Sequence, residues 1–264
     1  MDSEVETVKL SLVMPARNEE GCIATTLERF TDVLKASAVE FEIVVVDDGS
    51  TDATADLLAA ISARCPQIVP VTNAGRHGFG MAIRYGLEHI TGDAVAIVMA
   101  DGSDSPEDLL KYYNKLLEGY DCVFGSRFIR GSSVVDYPRH KLLLNRMANA
   151  FIRVLFGLSF NDITNAFKCY RREVIDGLQP LISPHFNLTV ELPLKALVRG
   201  YSYAVVPITW TNRAAGVSKL KLKEMGSRYL FIVLYLWLEK HLSRGDYHRT
   251  VVAPVDEKAN HINA

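Results

Sequence analysis

Paired cysteines are missing from this chain. Cys22, Cys65, Cys122 and Cys169 are scattered over 264 residues and never form a Cys-x-x-Cys. That spacing suggests neither a zinc site nor a disulfide framework and leaves a reduced, cytosolic compartment as the default. Long apolar runs are also lacking. The most conspicuous, Tyr229–Leu238, has ten residues, about half of the ~20 that a membrane-spanning helix needs. A global basic excess is absent, with 29 Lys+Arg against 31 Asp+Glu and a net charge of −2, so nothing points to nucleic acid. Met1–Thr7 is acidic and polar, so no signal peptide is expected. Neither an internal repeat nor a low-complexity segment is found. With 48% hydrophobic and 23% charged residues, the composition is that of an ordinary globular protein, large enough for one sizeable core or two small ones.

What is present is an alternation of strand and helix patterns. Leu10–Met14, Phe41–Val46, Ala94–Ala100 and Cys122–Phe124 are short apolar runs of the kind found in strands buried on both faces. Asn18–Phe30 and Thr51–Ala63 have helical spacing, and a further helix is expected from Ser105-Pro106. This order predicts a mostly parallel sheet covered by helices, with ligands beyond the carboxyl ends of the strands. Three polar clusters sit there: Pro15–Glu19, Asp47–Asp52 and Asp101–Asp104. Two later segments are locally basic. One holds Arg127, Arg130, Arg139, His140, Lys141, Arg146 and Arg153 against Asp136; the other runs from Arg213 to Arg228 and is opposed only by Glu224. Such patches suit a phosphate-bearing ligand or an anionic surface.

Each cluster has a plain structural use and a chemical one. Asp47-Asp-Gly-Ser-Thr-Asp52 can be a strand-to-helix turn, or its carboxylates can accept from a base edge or ribose hydroxyls. At the third cluster, Asp104 or Ser105 suits a helix cap, whereas Asp101 suits Mg²⁺ or Mn²⁺, hard cations that take carboxylate and phosphate oxygens.

Taken in order, Pro15-Ala-Arg-Asn-Glu19, Val46-Asp-Asp-Gly-Ser-Thr-Asp52, Gly78–Ala82, Ala100-Asp101 with Pro106-Glu107, Gly125-Ser-Arg-Phe128 and Asn212-Arg-Ala-Ala-Gly-Val-Ser-Lys219 resemble the family 2 glycosyltransferases of GT-A fold. Within them the chain is most similar to the dolichyl- or polyprenyl-phosphate mannosyltransferase-like branch, over residues 9 to 225. The resemblance implies a Rossmann-like α/β enzyme that moves a hexose, with inversion, from a GDP- or UDP-linked sugar. Pro15, Ala16, Arg17 and Glu19 would line the nucleotide pocket, with Asp48 and Asp47 reading base or ribose. Asp101 would hold the metal, joined by Ser103. Arg127 would begin the acceptor-phosphate site, completed by Arg139, Lys141 and Asn145. Arg213 and Lys219 would close over the donor phosphates. The family's Asp-x-Asp is here Met99-Ala-Asp101, one carboxylate fewer, which weakens a hard-cation site.

The acceptor can be argued from chemistry. A sugar hydroxyl needs a positioned carboxylate base, whereas a phosphate monoester with a second pKa of about 6 is already a dianion at neutral pH. The basic segment from Arg127 to Arg146 meets the second demand. Glu191 is the alternative base, for transfer to a saccharide hydroxyl, or else an ordinary helix acid. A catalytically weak nucleotide-sugar-binding protein is the remaining alternative, motivated by Met99. Asp162, in Phe160–Asn165, is expected to position Lys168 or a loop. Residues 1–226 are read as the catalytic domain, 227–244 as an amphipathic helix and 245–264 as a polar tail. That helix, flanked by Arg228, Lys240 and Arg244, fits peripheral contact with the cytoplasmic face of a membrane, or packing on the domain or on a second copy in a homo-oligomer.

Overall fold

The structure is a computed structural model that describes residues 8–212 and 222–249. Four apolar runs form the strands expected of them: β1 (Leu10–Ala16), β2 (Phe41–Asp47), β4 (Ala94–Ile97) and β5 (Cys122–Ser126). Every residue of β2 is buried, because helices cover both of its faces. They are joined by β3 (Ile68–Thr72), β7 (Lys168–Arg171) and β8 (Tyr203–Pro207) in one sheet of order β3-β2-β1-β4-β7-β5-β8. Only β7 runs antiparallel to its neighbours, so the sheet is mostly parallel, as expected. A separate parallel ribbon pairs β6 (Ser133–Val135) with β9 (Thr209–Thr211).

Helices cover both faces of the sheet. On one side α1 (Ile23–Ala36), α2 (Thr54–Ser62) and α4 (Pro106–Leu117) bury Leu27, Phe30, Leu58, Leu109 and Tyr112 against Leu12, Ile43 and Ala96. On the other lie α3 (Phe79–Leu87), α5 (Arg139–Phe156), α6 (Arg172–Gly177), α7 (Leu188–Val198) and α8 (Leu222–Leu242). Ile83, Ile152, Phe156, Leu192, Ile232 and Leu236 share that core with Val13, Val44 and Phe124. α8, expected at 227–244, spans Leu222–Leu242 among the described residues and packs on α7, and the buried Arg199–Glu239 ion pair, 2.9 Å, ties it down.

Candidate active site

Strand order reverses between β1 and β4, and in sheets of this kind ligands bind beyond the carboxyl ends of the strands at that point. Pro15 and Ala16 close β1 opposite Val46 and Asp47. The two loops that follow are stitched together. Asn18 donates its amide to Ser50 Oγ at 3.0 Å and accepts the Thr51 amide on Oδ1 at 2.7 Å. The Glu19 amide reaches Thr54 Oγ1 at 2.9 Å, and Glu20 accepts the Ala53 amide at 2.9 Å. Arg17 is exposed at this rim and Glu19 is half-buried.

The neighbouring aspartates divide the work. Asp47 closes its own turn by accepting the Ser50 amide at 2.9 Å. Asp48, buried, accepts from Asn73 Nδ2 at 2.7 Å and from the Gly78 amide at 2.8 Å, and faces His77 Nδ1 at 3.1 Å. It thereby ties the 73–78 loop to the end of β2. Gly78 is required at its place: φ is 145°, and a Cβ there would stand 2.6 Å from the Pro184 carbonyl oxygen.

At the end of β4, Asp101 accepts the Ser103 amide on Oδ1 at 3.1 Å across Gly102, and both residues are buried. Ser105 is the N-cap of α4, its Oγ accepting the Asp108 amide at 3.2 Å with Pro106 following. The cap expected of Asp104 or Ser105 thus falls to Ser105, and Asp104 has a different place. Its Oδ2 accepts the Met99 amide at 2.9 Å, so it braces the strand end from inside. Burial pushes its carboxyl up to about 7 against the Met99 hydrogen bond, and the charge of Asp101 adds to the rise. Among the described residues, no group of three or more Asp, Glu, His or Cys side chains could hold a metal. One carboxylate and one hydroxyl fit a divalent cation that draws its remaining oxygens from a diphosphate.

β5 in turn delivers Arg127. Asp162 is fully buried and accepts Arg127 Nε at 2.8 Å, Nη2 at 2.7 Å and the Arg127 amide at 2.9 Å. Of the two roles expected of Asp162, positioning Lys168 or a loop, it takes the second, clamping Arg127 by side chain and backbone. Lys168 donates to the Ile163 and Thr189 carbonyls, and burial draws its ammonium down to about 7. The Arg127 guanidinium carbon lies 5.3, 5.8 and 6.0 Å from the ring centroids of Phe128, Tyr137 and Trp210. β9 joins this cluster to the Asp101–Asp104 loop, for the Thr211 amide donates to the Ser103 carbonyl at 3.3 Å. Asn145 bonds Thr164 Oγ1 at 2.8 Å, so α5 is fastened to the same 161–165 loop that holds Arg127. Arg139 is exposed and Lys141 half-buried on the first turn of α5. Arg213 and Lys219 lie outside the described residues.

Glu191 is committed elsewhere. It is fully buried and accepts the Ile182 amide at 2.9 Å, the Ser183 amide at 2.7 Å and Lys195 Nζ at 2.8 Å. A carboxylate so engaged serves as a structural anchor between α7 and the 182–183 segment. Sequence reasoning missed Asn73, His77 and Trp210. Of these, only the Asn73 and His77 positions, flanking Gly75 and Gly78 after an apolar stretch, gave a local signal.

The glycosyl transferase family 2 model matches residues 11–178. The chain belongs to that family. It is 32% identical over 220 residues to a polyprenol monophosphomannose synthase of Mycolicibacterium smegmatis, covering 81% of this chain and 82% of the relative. It is 30% identical over 223 residues to an undecaprenyl-phosphate mannosyltransferase of Micrococcus luteus, covering 81% and 88%. Its fold is that of glucosyl-3-phosphoglycerate synthase from Mycobacterium tuberculosis, solved with Mn²⁺, uridine diphosphate and glucosyl-3-phosphoglycerate, at a TM-score of 0.65 and 24% identity over 88% of this chain and 80% of that one. The GT-A architecture expected from the sequence is thus found, and the protein is a glycosyltransferase by family.

Proposed function

We propose that this glycosyltransferase moves a hexose of mannose or glucose type, with inversion, from a GDP- or UDP-linked sugar to a polyprenyl phosphate. Arg127 carries the reading: a buried guanidinium held by Asp162, walled by aromatic rings and linked through β9 to Ser103. A phosphate dianion needs a cation to hold it and no base, and the one expected base, Glu191, is engaged in the core. The names of the two mannosyl-transferring relatives point the same way.

In this reading Pro15, Ala16, Arg17 and Glu19 line the nucleotide pocket, and Asp47 and Asp48 border the base and ribose. Asp101 and Ser103 hold Mg²⁺ or Mn²⁺, which supplies charge stabilisation to the leaving diphosphate, with Arg213 and Lys219 beside it. Arg139, Lys141 and Asn145 complete the acceptor site with Arg127. No described helix is long and apolar enough to cross a membrane. In this reading the enzyme meets its lipid peripherally, at the cytoplasmic face, through α8. Incubation with labelled GDP-mannose, UDP-glucose or UDP-GlcNAc, a short polyprenyl phosphate and either metal should yield a hexosyl lipid phosphate. Nucleotide binding in a calorimeter without turnover on any acceptor would overturn the reading in favour of a binding protein.

A further inference from the structure

A cavity of about 330 Å³ lies between the 73–78 loop, residues 182–187 ahead of α7 and the start of α8. None of the residues placed above at the donor, the metal or the acceptor lines it. Two of its walls are fixed to each other: Phe79 stacks on Phe186 with ring centroids 4.2 Å apart, and the Met81 amide donates to the Pro184 carbonyl at 3.2 Å. Arg76 stands on the first of these walls, and Arg228 lines the cavity from α8. No ion pair joins either guanidinium to a carboxylate among the described residues, and no carboxylate is among the described side chains that line the space. Ser183, 1% exposed, lines it too. Its Oγ accepts from Asn187 Nδ2 at 2.9 Å, and its own hydroxyl proton has no acceptor among the described residues. Phe231 closes one side with an apolar ring.

We propose that this cavity is a second phosphate site, in which Arg76 and Arg228 grip one phosphate group of a small organic molecule and the Ser183 hydroxyl donates to it. Two guanidiniums lining one cavity repel each other, and an anion between them turns that cost into attraction. The planar fork of arginine matches phosphate oxygens in pairs. A volume of this size admits a small molecule and excludes a macromolecule, and Phe231 suits the carbon part of a phosphate ester. Bound there, the ligand fastens the 73–78 loop to α8. Asn73 and Gly78 of that loop hold Asp48, so occupancy steadies the nucleotide side of the site and tightens nucleotide binding. That coupling rests on the donor pocket proposed above; the phosphate site itself does not. The donor's own diphosphate is the other source of such a group, and competition tells the two apart.

Calorimetric titration of inorganic phosphate into the full chain at constant ionic strength, with and without saturating GDP or UDP and Mg²⁺, reads the site. Phosphate should still bind the nucleotide-loaded chain. The Arg76→Gln/Arg228→Gln double variant should weaken that binding about tenfold or more while keeping its circular dichroism. Phosphate should tighten nucleotide binding about fivefold or more in wild type and leave it unchanged in the double variant. Arg127→Lys, which alters the acceptor site, should keep the effect. Phosphate affinity equal in wild type and the double variant would overturn the proposal. So would phosphate displaced by the nucleotide together with a double variant that loses nucleotide affinity, because the cavity would then belong to the donor's diphosphate. Phosphate binding lost in the double variant, in a chain that transfers nothing to any prenyl phosphate, would uphold the site and reject the transferase reading instead.

Discussion

Asp162 grips Arg127 through Nε, Nη2 and the backbone amide, and the two side chains are 0 and 6% exposed. Such a pair is costly to break from one side. Asp162→Ala leaves a buried guanidinium without its counter-charge, at a cost of about 3–5 kcal/mol in stability. Arg127→Lys keeps a charge but loses the planar fork that can serve Asp162 and a phosphate together. Losing one charge-assisted hydrogen bond to the acceptor, about 1.5–3 kcal/mol, should raise the acceptor KM roughly 10- to 100-fold and leave nucleotide affinity unchanged. Initial rates against prenyl phosphate concentration, with calorimetry of the nucleotide, check this. Equal losses in both would make Arg127 merely structural.

The two aspartates of the Asp101–Asp104 loop should separate cleanly. Asp101→Asn removes the carboxylate proposed for the cation, worth several kcal/mol of charge stabilisation, so turnover should fall by ~10²-fold or more and Mn²⁺ affinity in the presence of nucleotide should drop with it. Asp104→Asn acts on stability. Folding raises that carboxyl from 3.8 to about 7. Across that interval the folded state keeps a proton that the unfolded chain has released. Its contribution is full below the unfolded value, declines as pH rises through the interval and levels above about 7. In chelator, the variant's melting temperature should therefore vary less with pH than that of wild type over this range. An unchanged slope would place the titration elsewhere.

Most of this architecture was legible because its signals are local. β1, β2, β4 and β5 are apolar runs that stop at polar residues, and Ser105-Pro106 marks the start of α4. β3 escaped notice because Pro70 interrupts it and only Ile68 of its residues is buried, as an edge strand allows. β6 and β9 are three residues each, too short for any period to register. In the site, residues next to strand ends could be read, whereas pairings at long range could not. Asp162 lies 35 positions from Arg127, and nothing around it distinguishes a clamp from a loop. Asp104 resembled a cap by position, and only the fold reveals that it turns back to Met99.

Glu191→Gln separates anchor from base. The substitution leaves Lys195, 1% exposed, without its carboxylate partner at 2.8 Å, and should cost about 3–5 kcal/mol of stability. Below its melting point the variant should retain most of its kcat. A folded variant slowed by 10²-fold or more, the range typical of a lost general base, would restore Glu191 to the chemistry.

Gly78→Ala probes the loop tied to Asp48. The new Cβ would meet the Pro184 carbonyl oxygen at 2.6 Å and His185 Nδ1 at 3.0 Å, at φ 145°. Overpacking of this kind costs about 1–3 kcal/mol, and the shift would also strain the Gly78 amide bond to Asp48, 2.8 Å. Nucleotide affinity should fall along with the melting temperature. Unchanged affinity would separate the loop from the donor pocket.

The nucleophile itself can be titrated. If a phosphate dianion attacks, its protonation near pH 6 should lower the rate as pH falls through that value, with the midpoint displaced downward because Arg127 and its neighbours favour the dianion. Dependence on an enzyme carboxylate would instead survive replacement of the phosphate by a hydroxyl. The decisive comparison is therefore a water-soluble short polyprenyl phosphate against the matching alcohol, each measured across pH 5 to 8. The phosphate should be turned over with the acid-side fall, in both wild type and Glu191→Gln, and the alcohol should be inert. An alcohol that works in wild type but not in Glu191→Gln would leave a saccharide-type transferase in place of the phosphate reading.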